Sequence, residues 1–270
     1  MRQVSDSSAA QKVCRILKIL STPVPLRLTD IASGSGVNKA TALRLLEELM
    51  DEGFVHRDQA TKRYFLGEEA ITLGLAMQGR DHIRDRARPA LLRLADMCGD
   101  TVLLSTRSGC EAVCIDREFG SFPIRANYLD LGMRRPLGVG AGSMALLAWL
   151  PDQEIDAVLE LNKTINTQKY PLMTIPLIKE EIVRSRERGY SMLLEVVVAQ
   201  MGGIGVPIFG RDGRPYAALS VAALKDRISD RKEFLVTELQ KVARELANTS
   251  PSNPTAVLAP IPAANAIQDD

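Results

Sequence analysis

LTDIASGSGVNKATALRLLEELMDEGFVHRD, residues 28–58, decides the fold. It reads as a helix, a glycine-bearing turn, a second helix and the first strand of a hairpin. Thr29 is placed to cap a short helix with Asp30 in its first turn, and Gly34 and Gly36 break that helix. Asn38 caps a longer helix over residues 39–52. There Ala42, Leu45, Leu46 and Leu49 recur at helical spacing and share one buried face. The remaining face at the helix start carries Lys39, Ala40, Thr41, Leu43 and Arg44. Short side chains with two cations suit the major groove, where the duplex admits a helix and phosphates flank it. Gly53 ends the helix. A hairpin follows: Phe54-Val55-His56-Arg57, a turn over residues 58–61, then Lys62-Arg63-Tyr64-Phe65-Leu66. The whole reads as a helix-turn-helix followed by a wing, although an ordinary helical hairpin with a solvated second helix has the same periodicity.

Outward from this stretch, 270 residues suggest two domains, each with its own core. An apolar content of 46% with 25% charged residues is that of a globular protein. No apolar run reaches the ~18 residues of a membrane helix, and the polar first ten residues do not form a signal peptide, so a cytoplasmic protein without membrane contact is expected. A net charge of +1 excludes a protein that is basic all over and leaves room for a local basic surface. Lys39 and Arg44 lie at the proposed reading end and Lys62 and Arg63 in the wing. Glu47, Glu48, Asp51 and Glu52 gather at the far end of the recognition helix. Lys62, Arg63 and Lys39 are expected to neutralise phosphate, and Arg44 and Thr41 to reach base edges, with Leu43 against a thymine methyl.

LTDIASGSGVNKATALRLLEELMDEGFVHRD followed by RYFLG resembles the winged helix-turn-helix of the IclR family of bacterial transcriptional regulators. The similarity continues to about residue 247. It implies a sequence-specific regulator of a double-stranded DNA operator. Thr29, Asn38, Lys39, Ala40, Thr41, Leu43, Arg44, Lys62 and Arg63 stand at its DNA-facing positions. Family members more often carry a hydroxyl at the position of Ala40 and a polar or aromatic residue at that of Leu43, a departure that concerns the operator sequence.

Residues 68–99 read as a helical linker, with stripes at Ile71 and Leu75 and at Ile83, Ala87, Ala90, Leu91, Leu94 and Cys98. A kink or break is expected at Pro89, and a hinge over residues 78–81. By resemblance, DNA-binding domains pair through this region as dimers, which often join into tetramers. Residues 100–247 read as an α+β domain with a largely antiparallel sheet. Strands are expected at 101–107, 111–119, 122–128, 190–195, 203–209 and 214–223. Helices are expected at 142–150, 152–161, 175–188 and 230–246. The order resembles the GAF-like effector-binding domain of the family. The Pro/Ala/Ser/Asn-rich stretch 248–270 is expected to be a disordered tail.

Chemistry concentrates at Gly138-Val139-Gly140-Ala141-Gly142-Ser143, before an apolar helix. Glycines entering a helix expose backbone N–H groups beside the positive end of its dipole, which suits a small anion. A tight helix entry without a ligand fits equally. A dinucleotide fingerprint does not, because no βαβ unit surrounds it. RRPLGVGAGSMALLAWL resembles the family segment that opens the effector pocket, where amides at Gly140 and Ala141, beside Gly142, receive a ligand carboxylate. Across from it the resemblance puts Leu193, Met201, Gly203, Ser220 and Ala222 on the other pocket wall. Relatives that bind small hydrophilic acids carry an acidic residue, a cysteine and a serine at the positions of Leu193, Gly203 and Ala222. Loss of those polar partners disfavours a small polar acid and favours an effector with an apolar or aromatic body and one anionic end. A pocket filled by Met201 and Leu193 is the other outcome.

No catalytic constellation, cofactor motif or metal site is expected. Both histidines, His56 and His82, lie outside the second domain, so Ser143 and Ser220 have no base. The four cysteines lack metal-ligand spacing. The enzymatic alternative is a GAF-type, thiol-dependent methionine sulfoxide reductase using Cys98, Cys110 and Cys114, which needs an accessible thiol of lowered pKa. A purely architectural DNA binder would leave the second domain without a task.

Overall fold

A computed structural model describes residues 7–76, 82–126 and 129–248. They form two compact units, one running to Asp85 with the segment 129–133, the other comprising 86–126 and the residues from 134 on. The expected hinge at 78–81 and the tail beyond residue 248 lie outside the described residues.

The first unit opens with α1 (Ala9–Leu20), capped reciprocally by Ser8 and Gln11. α2 (Leu28–Ser35) ends at Gly36, which adopts the left-handed conformation at φ 65°. Thr29 is not its cap. The helix begins two residues earlier, with Arg27 at the cap position, and Asp30 reaches back to accept the Arg27 N–H at 3.2 Å, leaving Thr29 exposed inside the first turn. Gly34 stays helical. Asn38 caps α3 (Lys39–Asp51) as expected, its Oδ1 accepting the Thr41 N–H at 2.9 Å. The wing is β1 (Val55–Arg57) paired antiparallel with β2 (Tyr64–Leu66). Leu26 adds backbone bonds to Tyr64 on the other side, at 2.8 and 2.9 Å. Ile16, Leu20, Ile31, Leu45, Leu46, Leu49, Val55 and Tyr64 form the core. α4 (Glu68–Ala76) follows, with Ile71, Leu73 and Leu75 each more than half exposed.

α5 (Ile83–Cys98) runs through Pro89 without a break. The second unit then builds one antiparallel sheet in the order β5-β4-β3-β8-β7-β6. Its strands are β3 (Thr101–Ser108), β4 (Glu111–Glu118), β5 (Arg134–Pro136), β6 (Ser191–Leu194), β7 (Met201–Phe209) and β8 (Pro215–Leu224). The strand expected at 122–128 is absent over 121–126, and 127–128 lie outside the described residues. The sheet's outer strand on that side is β5, three residues paired with Glu111–Val113 of β4. α6 (Ala141–Leu147) lies on one face, against β7, β8 and β3. On the other face Val221 of β8, Leu94 and Cys98 of α5, and Leu235 and Leu239 of α10 (Lys232–Asn248) line one small cavity. α7 (Asp152–Lys169) is longer than expected, and the short helix α9 (Lys225–Asp230) precedes α10.

The opposite outer strand, β6, is covered by side chains of α8 (Ile175–Arg188). Glu181, 5% exposed, is paired with Arg188 and accepts the Met192 N–H at 3.4 Å. Arg188 donates to Tyr190 O at 2.7 Å and Met192 O at 3.3 Å. Main-chain groups that a free strand edge would offer to another strand are thereby occupied.

Candidate functional site

Two surfaces carry the residues singled out from the sequence. On α3 the buried face takes Ala42, Leu45, Leu46 and Leu49, which turns Lys39, Ala40 and Arg44 to the exposed side, with Thr41 and Leu43 half-buried beside them. Asn38 is committed to its cap. Arg44 forms an ion pair with Glu48 one turn along, both side chains more than half exposed. Such a pair is worth a few tenths of a kcal/mol, so the guanidinium is available to a stronger acceptor. Glu48 therefore does not simply point away from the reading end, as its cluster suggested.

In the wing, Asp58 accepts the N–H and hydroxyl of Thr61, and these bonds hold its carboxyl below the usual carboxylate range. Lys62 follows in the left-handed region at φ 57°, exposed at the tip. Arg63 donates to Pro25 O at 2.9 Å, which fixes the guanidinium beside the loop preceding α2. Arg57, not singled out from the sequence, is exposed on β1 with its guanidinium 5.3 Å from the centre of the Tyr64 ring.

The second surface lies under α6. Leu193, Gly203 and Ala222 are direct cross-strand partners, and Thr101 continues the row on β3. The next row is Ser191, Gly205, Ser220 and Leu103. Cross-strand partners share a face, so the scattered sequence positions 193, 203, 220 and 222 form one contiguous patch. Met201, half-buried, extends it at the end of β7. A Cβ added at Gly203 would stand 3.2 Å from Ala141 Cβ, which places this row against the start of α6.

Gly140 caps that helix at φ 91°. Ala141, Gly142, Leu193, Ser220 and Ala222 are buried. The helix start is seated hard on the sheet. Ser191 Oγ lies 2.6 Å from Ala141 O and 3.1 Å from Gly205 O. Ser220, 5% exposed, makes no side-chain hydrogen bond among the described residues, and a Cβ added at Gly142 would meet its Oγ at 2.9 Å.

Sequence reasoning missed Arg135. It stands on β5, 9% exposed, and its Nη1 would be 3.1 Å from a Cβ added at Gly140. The signal was the RRP preceding the glycine run. Three residues show no alternation, so nothing marked Arg135 as an inward position.

The thiols do not have the character a reductase needs. Burial raises the pKa of Cys98 and of Cys110, and Cys114 is buried. Among the described residues no helix is long and apolar enough to cross a membrane.

Both regions of the chain resemble known proteins. The IclR helix-turn-helix domain matches residues 9–59, and the bacterial transcriptional regulator IclR C-terminal domain matches residues 76–248. The transcriptional regulator KipR of Bacillus subtilis is 27% identical over 237 residues, 87% of this chain and 94% of its own length. A crystal structure of an IclR transcriptional regulator from Silicibacter sp. TM1040 superposes with a TM-score of 0.78 at 25% identity, covering 92% of this chain and 98% of that one. The fold is also that of an IclR homologue from Microbacterium hydrocarbonoxydans crystallised with 4-hydroxybenzoate, with a TM-score of 0.69 at 20% identity over 89% of this chain and 98% of that one. These relatives are transcriptional regulators and not enzymes, which sets the thiol reductase aside. Matched at both ends and in the same order, the chain belongs to the IclR family of DNA-binding transcriptional regulators.

Proposed function

We propose that this regulator binds its operator through α3 and the wing, and that a small molecule with an apolar or aromatic body and one carboxylate controls that binding from the Leu193–Gly203–Ala222 row beside the start of α6. The single observation that carries the effector half is the row Leu193–Gly203–Ala222, which offers no polar side chain. Along this row the body of a small hydrophilic acid would lose water without finding a side-chain partner, whereas an aromatic body gains apolar contact. Arg135 and the amides at Gly140 and Ala141 supply the anion end, and Ser220 a single hydrogen bond. The 4-hydroxybenzoate bound to the Microbacterium homologue is a ligand of this chemistry.

On the DNA side, Lys39, Lys62 and Arg63 neutralise phosphate, with Thr29 at the start of α2 beside them. Arg44, Thr41 and Leu43 read bases across the close approach that Ala40 permits. The exposed apolar residues of α4 support pairing of two chains there, giving a dimer or a dimer of dimers on paired half-sites in the cytoplasm. Ligand biases DNA affinity by binding two arrangements of this assembly unequally, whether the outcome is repression or activation.

Arg44→Ala is expected to weaken operator binding by ~1–3 kcal/mol and to relax base preference, read by fluorescence anisotropy with operator and scrambled duplexes. Unchanged affinity and selectivity would remove Arg44 from the reading set. The effector is tested by thermal denaturation with benzoate, 4-hydroxybenzoate, neutral aromatics and short hydroxy- and keto-acids. A ligand at 100 times its dissociation constant adds ~2.7 kcal/mol, a visible shift of the midpoint. Shifts with aromatic acids are expected. A response to glyoxylate-like acids alone would overturn the apolar pocket.

A further inference from the structure

The segment between β6 and β7, Glu195-Val196-Val197-Val198-Ala199-Gln200, joins the two strand positions Leu193 and Met201 assigned above to the effector wall. It is neither helix nor strand, and its two end residues have unusual backbone. Glu195 at φ 59° and Gln200 at φ 60° both stand in the left-handed region without being glycine. Non-glycine residues hold that conformation only where their surroundings impose it.

What imposes it is a small set of bonds at the two ends. Glu195 Oε2 accepts from Lys225 Nζ at 2.8 Å, and Glu195 Oε1 accepts the Gln200 N–H at 3.3 Å. The Lys225 N–H donates to Gln200 O at 2.9 Å, and the Glu195 N–H donates to Met201 O at 2.8 Å. One carboxylate thus closes the segment on itself and ties it to the first residue of α9. Between the ends, Val196 and Val197 are half-buried against the apolar cluster that contains Leu193 and the α6 residues Met144–Leu147. Two half-buried valines against an apolar cluster, held by an ion pair in which both partners are about two-fifths exposed, make a detachable cover rather than core.

We infer that residues 195–200 form a hinged apolar lid on the effector site, with Glu195 and Gln200 as its hinges, the Glu195–Lys225 pair as its latch, and Val196 and Val197 as ligand-contacting residues. The inference rests on the effector reading above. The lid swings about its two hinges, admits the effector, and recloses with the valines on the effector's apolar body. This gives the ligand a differential contact between two conformations, which any ligand-driven change requires. The mutual bond shifts both latch groups in the sense of a formed pair, the Glu195 carboxyl below and the Lys225 amine above their usual ranges.

Hydrogen exchange of the full-length protein, read by mass spectrometry, tests the lid without any ligand. The amides of Gln200 and Lys225 report closure, because their acceptors belong to the latch and the hinge. Lys225→Gln is expected to speed the Gln200 amide about two- to fivefold, the size of effect an exposed ion pair produces, leaving Ile204 and Val206 of β7 unchanged. No acceleration, or an equal acceleration throughout β6–β8, would overturn the latch. A second arm adds 4-hydroxybenzoate to the wild-type chain. If it raises the melting midpoint and slows the Gln200 amide more than those of β7, the lid closes on the ligand. If it raises the midpoint and leaves that amide unchanged, the segment is not a lid and the proposal fails. If it and the other aromatic acids leave the midpoint unmoved, the effector reading fails, while ligand-free exchange still decides whether the segment opens.

Discussion

Asp100→Asn is expected to destabilise the second unit by about 3 kcal/mol, the lower end of the range for breaking a buried ion pair from one side. Asp100 immediately precedes β3, with its side chain 1% exposed. Arg227 reaches both its oxygens, at 2.9 and 3.2 Å, and Arg231 bonds the second. The two guanidiniums come from α9 and from the junction with α10, and they also hold the end of α5, through Arg231 Nη1 to Cys98 O at 2.7 Å. Arg227 is further packed on the Phe122 ring at 3.6 Å. Removing the charge while keeping the shape leaves two cations facing each other without their shared anion. The lower end of the range applies because both arginine side chains are about a quarter to a third exposed. Urea denaturation should show a reduced midpoint at unchanged slope. A loss under ~1 kcal/mol would mean that packing of α10 alone holds this corner.

Gly205→Ala should be comparably damaging for a different reason. The added Cβ would meet Ala141 O at 2.6 Å, Ala141 C at 2.7 Å and Gly142 N at 2.9 Å. All three are main-chain atoms at the start of α6, so no rotamer change relieves the overlap and the helix has to rise from the sheet. Overpacking of this kind destabilises by ~1–3 kcal/mol, here with the Ser191–Ala141 hydrogen bond lost as well. About 2–3 kcal/mol is expected, together with loss of any ligand-induced shift in the melting midpoint, because the amides at Gly140 and Ala141 move with the helix. Wild-type stability with an intact ligand response would show that α6 does not rest on Gly205.

Much of this was legible in the chain. The recognition helix declared itself through Ala42, Leu45, Leu46 and Leu49 and through the cap at Asn38, since both signals are local. The cap of α2 was misread because Thr29 is the stronger capping residue by type, yet Asp30 one residue later captured the Arg27 amide and moved the start. α7 looked short because its buried face turns polar at Asn162 and Asn166, which hides the stripe over its last two turns. β5 was invisible because it is three residues long and its strand character is supplied by β4. For the same reason Arg135 escaped notice. The proposed effector positions rest on resemblance, and only the register shows that they are neighbours. No local pattern reports that Leu193, Gly203 and Ala222 stand in one row.

The close fit of Gly203 under Ala141 bears on how this protein could be retuned into a sensor for other compounds. A side chain at 203 needs space that the Ala141 methyl and the Val221 main-chain oxygen both limit, each 3.2 Å from its Cβ. Substitutions in the row are therefore ordered. Trimming Ala141 to glycine relieves the first of these contacts and leaves the second, so any side chain at 203 also has to be accommodated by a small shift of β8. Under the proposed effector site, libraries that vary 141 and 203 together relieve one of the two contacts at each step, while changes at 193 leave the Gly203–Ala141 packing in place.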